Sequence, residues 1–497
     1  MRDTLIIAPP PTPNGDLHVG HLCGPYFGAD VFRRYLTLRG HTCITALSVD
    51  VNQSYVVTTA ERLGKDPGAL AVKSHQEVSE TLDMADIDFD IVGFPDRAYT
   101  AYISDWFAAL YERNIFQRQT RPYPYDVVRK RFMFESYASG TCPVCLSGTN
   151  GNICEACGHP NDARDLLGLY PTGGAPGDPI EMRPVEQYVL SLEDWREPLR
   201  DYLDTAIPER RPSLQRLIDE LFARRLPDFP ITFPSQWGIP APFPNADGLV
   251  LNVWAEILPG HYHWLEQAAS SKNMTFPTDA DYVQYLGFDN SFFYLIAHVA
   301  LAMAAKKCGV RSVLPAAIVT NEFYQLDNFK FSTSQGHLIW GRDLLAEISA
   351  DEARFYFAWS NPDYSQANFT MEDMERVLNR KLRAPLKTIR AGLQAVTVPA
   401  QVQDTVWSTA LYSRFESVYD IGRQNLRAAA QTVANGLSIL IRQMDAGAAP
   451  SELCASARAI AVGLAPLSPG LAAELWQLSG GVGRITWPQS EQLSQVA

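Results

Sequence analysis

The chain opens on an apolar run, Thr4 to Ala8, that stops on Pro9-Pro10-Pro11-Thr12-Pro13-Asn14-Gly15. Such a run suits a strand buried on both faces, as in a parallel sheet. Proline fixes φ and lacks an N–H, so the proline-rich segment is neither helix nor ladder but a rigid loop at the strand's carboxyl end. Asp16 is placed to cap a helix whose apolar face is Leu22, Val31, Phe32, Tyr35 and Leu36 and which Arg39-Gly40 ends. His41 to Asp50 reads as a second strand. A βαβ opening predicts an open α/β sheet, with ligands taken at the carboxyl ends of its strands.

The length of 497 residues allows roughly two to four domains. Hydrophobic residues are 46% and charged residues 20%, which excludes a disordered, fibrous or collagen-like chain. Lys and Arg total 42 against 55 Asp and Glu, a net charge of −13, so a general nucleic-acid coat is excluded and any polyanion site must be a local patch. Residues 116–235 are rich in Pro, Gly, Cys and charge, and read as an insertion. The α/β pattern resumes with strands at Gly248 to Trp254, Tyr282 to Gly287 and Val313 to Thr320, and a helix from about Ser291 to Lys307. From about Glu375 onward the pattern is helical. The longest apolar stretch, Phe292 to Ala305, is interrupted by His298 and is shorter than the roughly 20 residues a membrane span needs. With no signal-like apolar segment either, a reducing cytoplasm is expected.

Three motifs carry chemistry. Pro13-Asn14-Gly15-Asp16-Leu17-His18-Val19-Gly20-His21 puts two imidazoles three residues apart at a helix start, beside backbone N–H groups suited to an anion. Gly20 leaves room for a flat base against the backbone. Lys330-Phe331-Ser332-Thr333-Ser334-Gln335-Gly336 presents a cation on a small-residue loop. Cys142-Pro143-Val144-Cys145 and Cys154-Glu155-Ala156-Cys157 are paired knuckles with the spacing of a tetrahedral Zn²⁺ site, closed by four thiolates and so structural.

Taken together, these motifs resemble the class I aminoacyl-tRNA synthetases, and among them the methionyl-tRNA synthetase-like group. His18-Val19-Gly20-His21 is similar to that family's His-Ile-Gly-His signature, and Lys330 to Ser334 to its Lys-Met-Ser-Lys-Ser loop. The resemblance implies a Rossmann-like catalytic domain in two halves, 1–115 and 236–325, split by a connective insertion, 116–235, that carries a zinc knuckle. After these come a stem-contact-like region, 326–375, and an all-α, anticodon-binding-like bundle, 376–497. It also implies ATP and Mg²⁺ as reactants beside the structural Zn²⁺. His18, His21 and Lys330 would be catalytic. Asn14, Gly20, Gly287, Asp289, Ser332 and Ser334 would contact ATP, with capping of the next helix the rival role for Asp289. Thr12, Asp50, Trp254, His261 and Tyr294 would line the amino-acid pocket, with Asp50 on the α-ammonium; a helix cap or surface acid is the rival role for Asp50, and a plain core role the rival for Trp254.

The chain departs from the family's pattern at several points. Thr12 stands where an aromatic covers the substrate, Ile257, Leu258 and His261 where Ala, Pro and Tyr are usual, Tyr294 for His, Phe233 for Arg, and Thr333 for the second loop lysine. Arg376, Arg380, Lys381, Arg383, Lys387 and Arg390 form a basic helix, read either as a phosphate-tracking face or as a solvated one. The bundle lacks the family's Ala-Pro-Trp. These departures lead to the expectation of an adenylate-forming paralogue that passes the amino acid to a small amine or hydroxylamine without tRNA. Its setting would be natural-product biosynthesis, as in the hydrazine synthetases, with a separate cupin-type partner. The alternative is a methionine–tRNA ligase that charges tRNA. A catalytically inactive RNA-binding paralogue is the third reading, opposed by the intact His18, His21, Lys330 and Asp50.

Overall fold

The computed structural model describes residues 3–174, 177–277, 279–331 and 336–488. Five parallel strands form its central sheet: β1 (Thr4–Ile7), β2 (Cys43–Ser48), β3 (Ile91–Gly93), β4 (Asp281–Gly287) and β5 (Ala317–Asn321). Their spatial order is β5-β4-β1-β2-β3, with Thr4 opposite both Cys43 and Asp281. Every residue of β1 and β2 is buried, as expected of strands covered on both faces. Alternation along the strands divides the interior in two. Leu5, Ile7, Tyr282 and Leu286 face the core shared with the helix Val253–Ser271, while Ile6, Val283 and Tyr285 face the core shared with Phe27–Leu38 and the C-terminal helices.

Chain order runs outward from β1 to β3 and then returns to β4 on the other side of β1. The topological switch point therefore lies between the carboxyl ends of β1 and β4, where open α/β sheets bind ligands. The first helix is not continuous. Val19–His21 is followed by a distorted stretch, Leu22–Tyr26, in which Gly24 leaves the helical region (φ −83, ψ −127) ahead of Pro25; Phe27–Leu38 then runs regularly. The cap is His18 rather than Asp16, whose carboxylate instead accepts from Thr81 and pairs with Arg342 at 2.6 Å.

Between the two halves of the sheet, Gln117–Asp126 pairs antiparallel with Ile180–Ser191, followed by the helices Arg196–Ala206 and Pro212–Phe222. A small sheet of Ala138–Thr141, Gly148–Asn150 and Leu167–Pro171 carries the cysteines. Gly248 to Trp254 is not a strand of the parallel sheet. Leu249–Leu251 forms an antiparallel ribbon with Thr232–Pro234, and Asn252 caps the helix Val253–Ser271 directly after it. The C-terminal part is helical: Val406–Tyr419, Leu426–Asp445, Pro450–Leu464 and Pro469–Leu478 pack on one another and, through Tyr35 against Tyr419 at 5.3 Å, on the sheet-covering helix. Among the described residues no helix is long and apolar enough to cross a membrane.

Candidate active site

A cavity of about 420 Å³ opens at the switch point, walled by Pro9 to Pro11 after β1 and Gly287 to Asn290 after β4. His18 and His21 line one end, with their rings stacked at 3.6 Å. Their backbone explains the stacking. The His21 N–H donates to His18 Nδ1 at 3.3 Å, and the His18 N–H donates to His21 Nδ1 at 3.4 Å. This reciprocal cap satisfies two N–H groups at the helix start. It also settles the tautomers: each Nδ1 is an acceptor, so each neutral ring carries its proton on Nε2. Burial brings His21 down to about 4, against a smaller upward pull from Asp16, so its ring is neutral near pH 7.

Phe331 stacks on His18 at 4.8 Å. The chain thus returns to the imidazoles through the two-residue strand Phe329–Lys330, which pairs with Tyr324–Leu326. A Cβ on Gly20 would lie 3.1 Å from both the His18 and Phe331 rings, so in this structure the glycine makes room for those two rings rather than for a base. The Lys330 side chain, Ser332, Thr333 and Ser334 lie outside the described residues.

At the other end is Asp50, only 4% exposed. It does not cap the helix Ser54–Leu63; its Oδ2 accepts from Gln53 Nε2 at 2.6 Å, and its N–H donates to Pro11 O. Burial pushes its carboxyl well above the usual range, and the carboxylates of Glu256 and Glu135 push it further. A group in that state gains from an arriving ammonium, because the cation restores the ionised form. Glu256, 2% exposed, accepts from Asn52 and from Tyr99 at 2.9 Å, and burial raises it to about 7.

Thr12, Asn14, Trp254, Tyr294, Gly287 and Asp289 also line the cavity. Trp254 stacks on Phe293 at 4.0 Å. A Cβ on Gly287 would sit 2.6 Å from Asp289 Oδ1, so glycine lets that carboxylate fold back over the strand end. Burial raises Asp289 to about 6, against the hydrogen bonds that lower it. His261, expected on the pocket wall, stands behind it. It is on the inner face of the helix Val253–Ser271, with Nδ1 3.2 Å from Tyr282 Oη and Nε2 3.5 Å from Tyr294 Oη. Sequence reasoning misses Tyr26, Gln53 and Phe331, which share the lining, and Glu256 and Glu135 just behind it, while Ile257, marked in the sequence as a departure, does line the cavity. Only the neighbourhoods of Asp50 and Lys330 in the sequence point to Gln53 and Phe331.

The four cysteine sulfurs lie within 4.8 Å of one another, with Cys142 and Cys157 at 3.9 Å and Cys145 and Cys154 at 3.5 Å. Those separations are too long for disulfides and fit thiolates about 2.3 Å from a central tetrahedral ion. Ile153 and Glu155, from the same knuckle, reach the wall of the main cavity.

The methionine–tRNA ligase of Pyrobaculum arsenaticum is 27% identical over 516 residues, spanning 96% of this chain and 88% of its own. That of Thermococcus onnurineus is 28% identical over 390 residues, 75% of this chain and 53% of its own. The crystal structure of Mycobacterium tuberculosis methionyl-tRNA synthetase bound by methionyl-adenylate superposes with a TM-score of 0.74 at 16% identity, over 97% of this chain and 95% of that one, and so shares the fold. The model of the tRNA synthetases class I (M) matches residues 4–389. With that match across most of its length, the chain belongs to the class I tRNA synthetases of the (M) type.

Proposed function

We propose that this protein activates an amino acid with ATP as an aminoacyl-adenylate and transfers it to tRNA, the reaction named for its methionine–tRNA ligase relatives. The observation that carries this reading is one cleft with a stacked imidazole pair at one end and the buried Asp50 carboxylate at the other. Asp50 holds the α-ammonium and turns the substrate carboxylate towards the nucleotide, while Asp289 and Gly287 take the ribose side. The carboxylate attacks the α-phosphate in line, and pyrophosphate leaves. His18 and His21 donate from Nε2 to the phosphate oxygens, where charge builds in the transition state. Lys330, brought back by the Phe331–His18 stack, serves the departing pyrophosphate with Ser332 and Ser334. Mg²⁺ supplies charge neutralisation between phosphates when bound. The cysteines hold Zn²⁺, and the parts 1–115, 116–235, 236–325, 326–375 and 376–497 keep the division their motifs suggest.

Support for a tRNA acceptor comes from a second cavity of about 1150 Å³ that shares Asn14, Tyr55, Glu155 and Phe331 with the first and is flanked by Arg62, Arg129 and Arg131. Arg129 and Arg131 pair with Asp126 and Glu61, so it is the rings of Tyr55 and Phe331 with the Arg62 cation that suit a single-stranded 3′ end. The second reading, transfer to a small amine or hydroxylamine with a cupin-type partner, is favoured by one observation. Arg376, Arg383 and Arg390 of the basic helix are paired with Asp373, Glu352 and Glu474, which commits half of its six cations and leaves the exposed Arg380, Lys381 and Lys387. ATP–pyrophosphate exchange across the amino acids tests activation, and its absence with every amino acid overturns the proposal. Charging of tRNA then separates the two acceptors: aminoacyl-tRNA supports the first, and hydroxamate formation without charging the second.

A further inference from the structure

Glu135 lies just before the strand Ala138–Thr141 that leads into Cys142. It is 3% exposed and sits at φ +47, a left-handed conformation that costs a non-glycine residue on the order of 1 kcal/mol. Its Oε2 accepts from Ser54 N at 2.8 Å and from Ser54 Oγ at 2.5 Å. Ser54 Oγ in turn accepts from Ser136 N at 3.0 Å and Ser136 Oγ at 2.8 Å.

Ser54 begins the helix Ser54–Leu63, and Gln53, at the capping position, makes no side-chain cap because its amide serves Asp50. The first-turn N–H is capped instead by a carboxylate from far along the chain, where the helix dipole favours negative charge. On its other flank Glu135 carries the knuckle. A Cβ on Gly151 would lie 2.9 Å from the Glu135 carbonyl, and Gly151 N donates to Ala138 O. Two residues on, Ile153 enters the cavity wall. Burial pushes the Glu135 carboxyl up, against the Ser54 hydrogen bonds and the Trp254 side chain, which favour its ionised form.

We propose that Glu135 is a positioning residue that fastens the four-cysteine module to the helix after Asp50, so that metal occupancy sets the affinity for the amino acid. The proposal rests on the reading of Asp50 as the ammonium site and of the cysteines as a zinc site. The Glu135 contacts do not touch the imidazole pair, so E135A leaves ATP handling apart, although the module itself also packs at Gly158 on Phe288, beside Asp289.

The test is ATP–pyrophosphate exchange with the zinc-loaded protein. E135A raises KM for the amino acid about tenfold or more, the usual scale for a small misplacement of a binding group, with kcat and KM for ATP within about threefold. S54A shifts the same constant, and the double variant adds little beyond E135A. E135Q, which keeps an acceptor oxygen, falls between. Removing zinc with a chelator reproduces the shift in the unaltered protein and adds none in E135A. Hydrogen exchange gives a readout free of activity: amides 50–56 lose protection in E135A and in the zinc-free protein, while β4 keeps its own. Additive effects of chelation and E135A, equal changes in both KM values, or unchanged protection at 50–56 overturns the coupling. Should the protein exchange with no amino acid at all, the adenylation reading fails, and the hydrogen-exchange arm still decides this one.

Discussion

Two imidazoles that each turn Nδ1 to the other's backbone amide carry their N–H donors on Nε2, and a donor of that kind is what a phosphate oxygen needs. His18→Asn and His18→Ala therefore separate two jobs. Asparagine keeps an acceptor near the Nδ1 position and so keeps the cap, but it has no group at Nε2. We expect H18N to melt within a few degrees of the unaltered protein while its exchange kcat falls about 10²–10³-fold; H18A loses the cap as well and also melts lower. Unchanged exchange in H18N would move the phosphate donors elsewhere. Glu256 makes a second residue-scale prediction. Its folded pKa of about 7 lies above the ordinary 4.5, so the folded state holds the proton more tightly. Its favourable contribution is fully present below about 4.5 and is lost as pH rises through about 7. E256Q removes that dependence. Relative to the unaltered protein, its unfolding free energy should grow with pH across that window by on the order of 3 kcal/mol, read from urea melts at several pH values. A constant difference between pH 4.5 and 7.5 would count against a raised carboxyl there.

At the scale of elements, small residues decide how closely the units approach. Gly463 lies in the helix Pro450–Leu464, where alanine would gain about 1 kcal/mol of helix propensity. A Cβ there would lie 2.0 Å from the Phe415 ring of the helix Val406–Tyr419, and overpacking of that kind costs about 1–3 kcal/mol or more. The clash outweighs the propensity, so G463A should lower the urea midpoint; a raised midpoint would mean the two helices slide apart freely. The same balance of local and distant terms separates what is legible in the sequence from what is hidden there. Strands β1, β2, β4 and β5 are legible because each is a short apolar run bounded by Pro, Gly or charge. The long antiparallel pair is not, because Pro122 and Pro124 in Gln117–Asp126 and Pro184 in Ile180–Ser191 break any strand pattern, while in space Pro122 faces Pro184 across the ladder. Leu249–Leu251 reads as a sheet strand, since three apolar residues do not say which partner they find. In the site, the imidazoles and the cysteines are legible from spacing within single motifs, and Asp50 only through the family resemblance. The Glu256–Asn52–Tyr99 and Glu135–Ser54 contacts join residues far apart in the chain, and no local pattern encodes them.

At the scale of the whole molecule, the catalytic sheet and the C-terminal helices share one core, and a single guanidinium sits at their junction. Arg354 and Asp30 are both fully buried and pair at 2.7 Å. Arg354 also donates to the carbonyls of Leu467, Pro466 and Asp86, so it touches the turn between the last two helices, Pro450–Leu464 and Pro469–Leu478, as well as the segment before β3. Burial pushes the Asp30 carboxyl up, but Arg354, Arg34 and Arg33 together outweigh it and hold the group at about 2. Its stabilisation is therefore complete above the ordinary 3.8 and lost only as pH falls towards 2. R354M fills much the same space without charge, and leaves the carbonyls of Ala85, Asp86, Pro466 and Leu467 without this donor, while Asp30 keeps Arg33, Arg34 and the Asp88 N–H. A loss of about 3–5 kcal/mol in urea unfolding is expected, since breaking a buried pair costs more than the pair contributes. The loss should appear as early exchange of amides in 450–478, because those helices hold the carbonyls that Arg354 binds. A loss under about 1 kcal/mol, or one spread evenly over the sheet and the helices, would mean that apolar packing around Tyr35, Phe415 and Tyr419 joins the two parts without the ion pair.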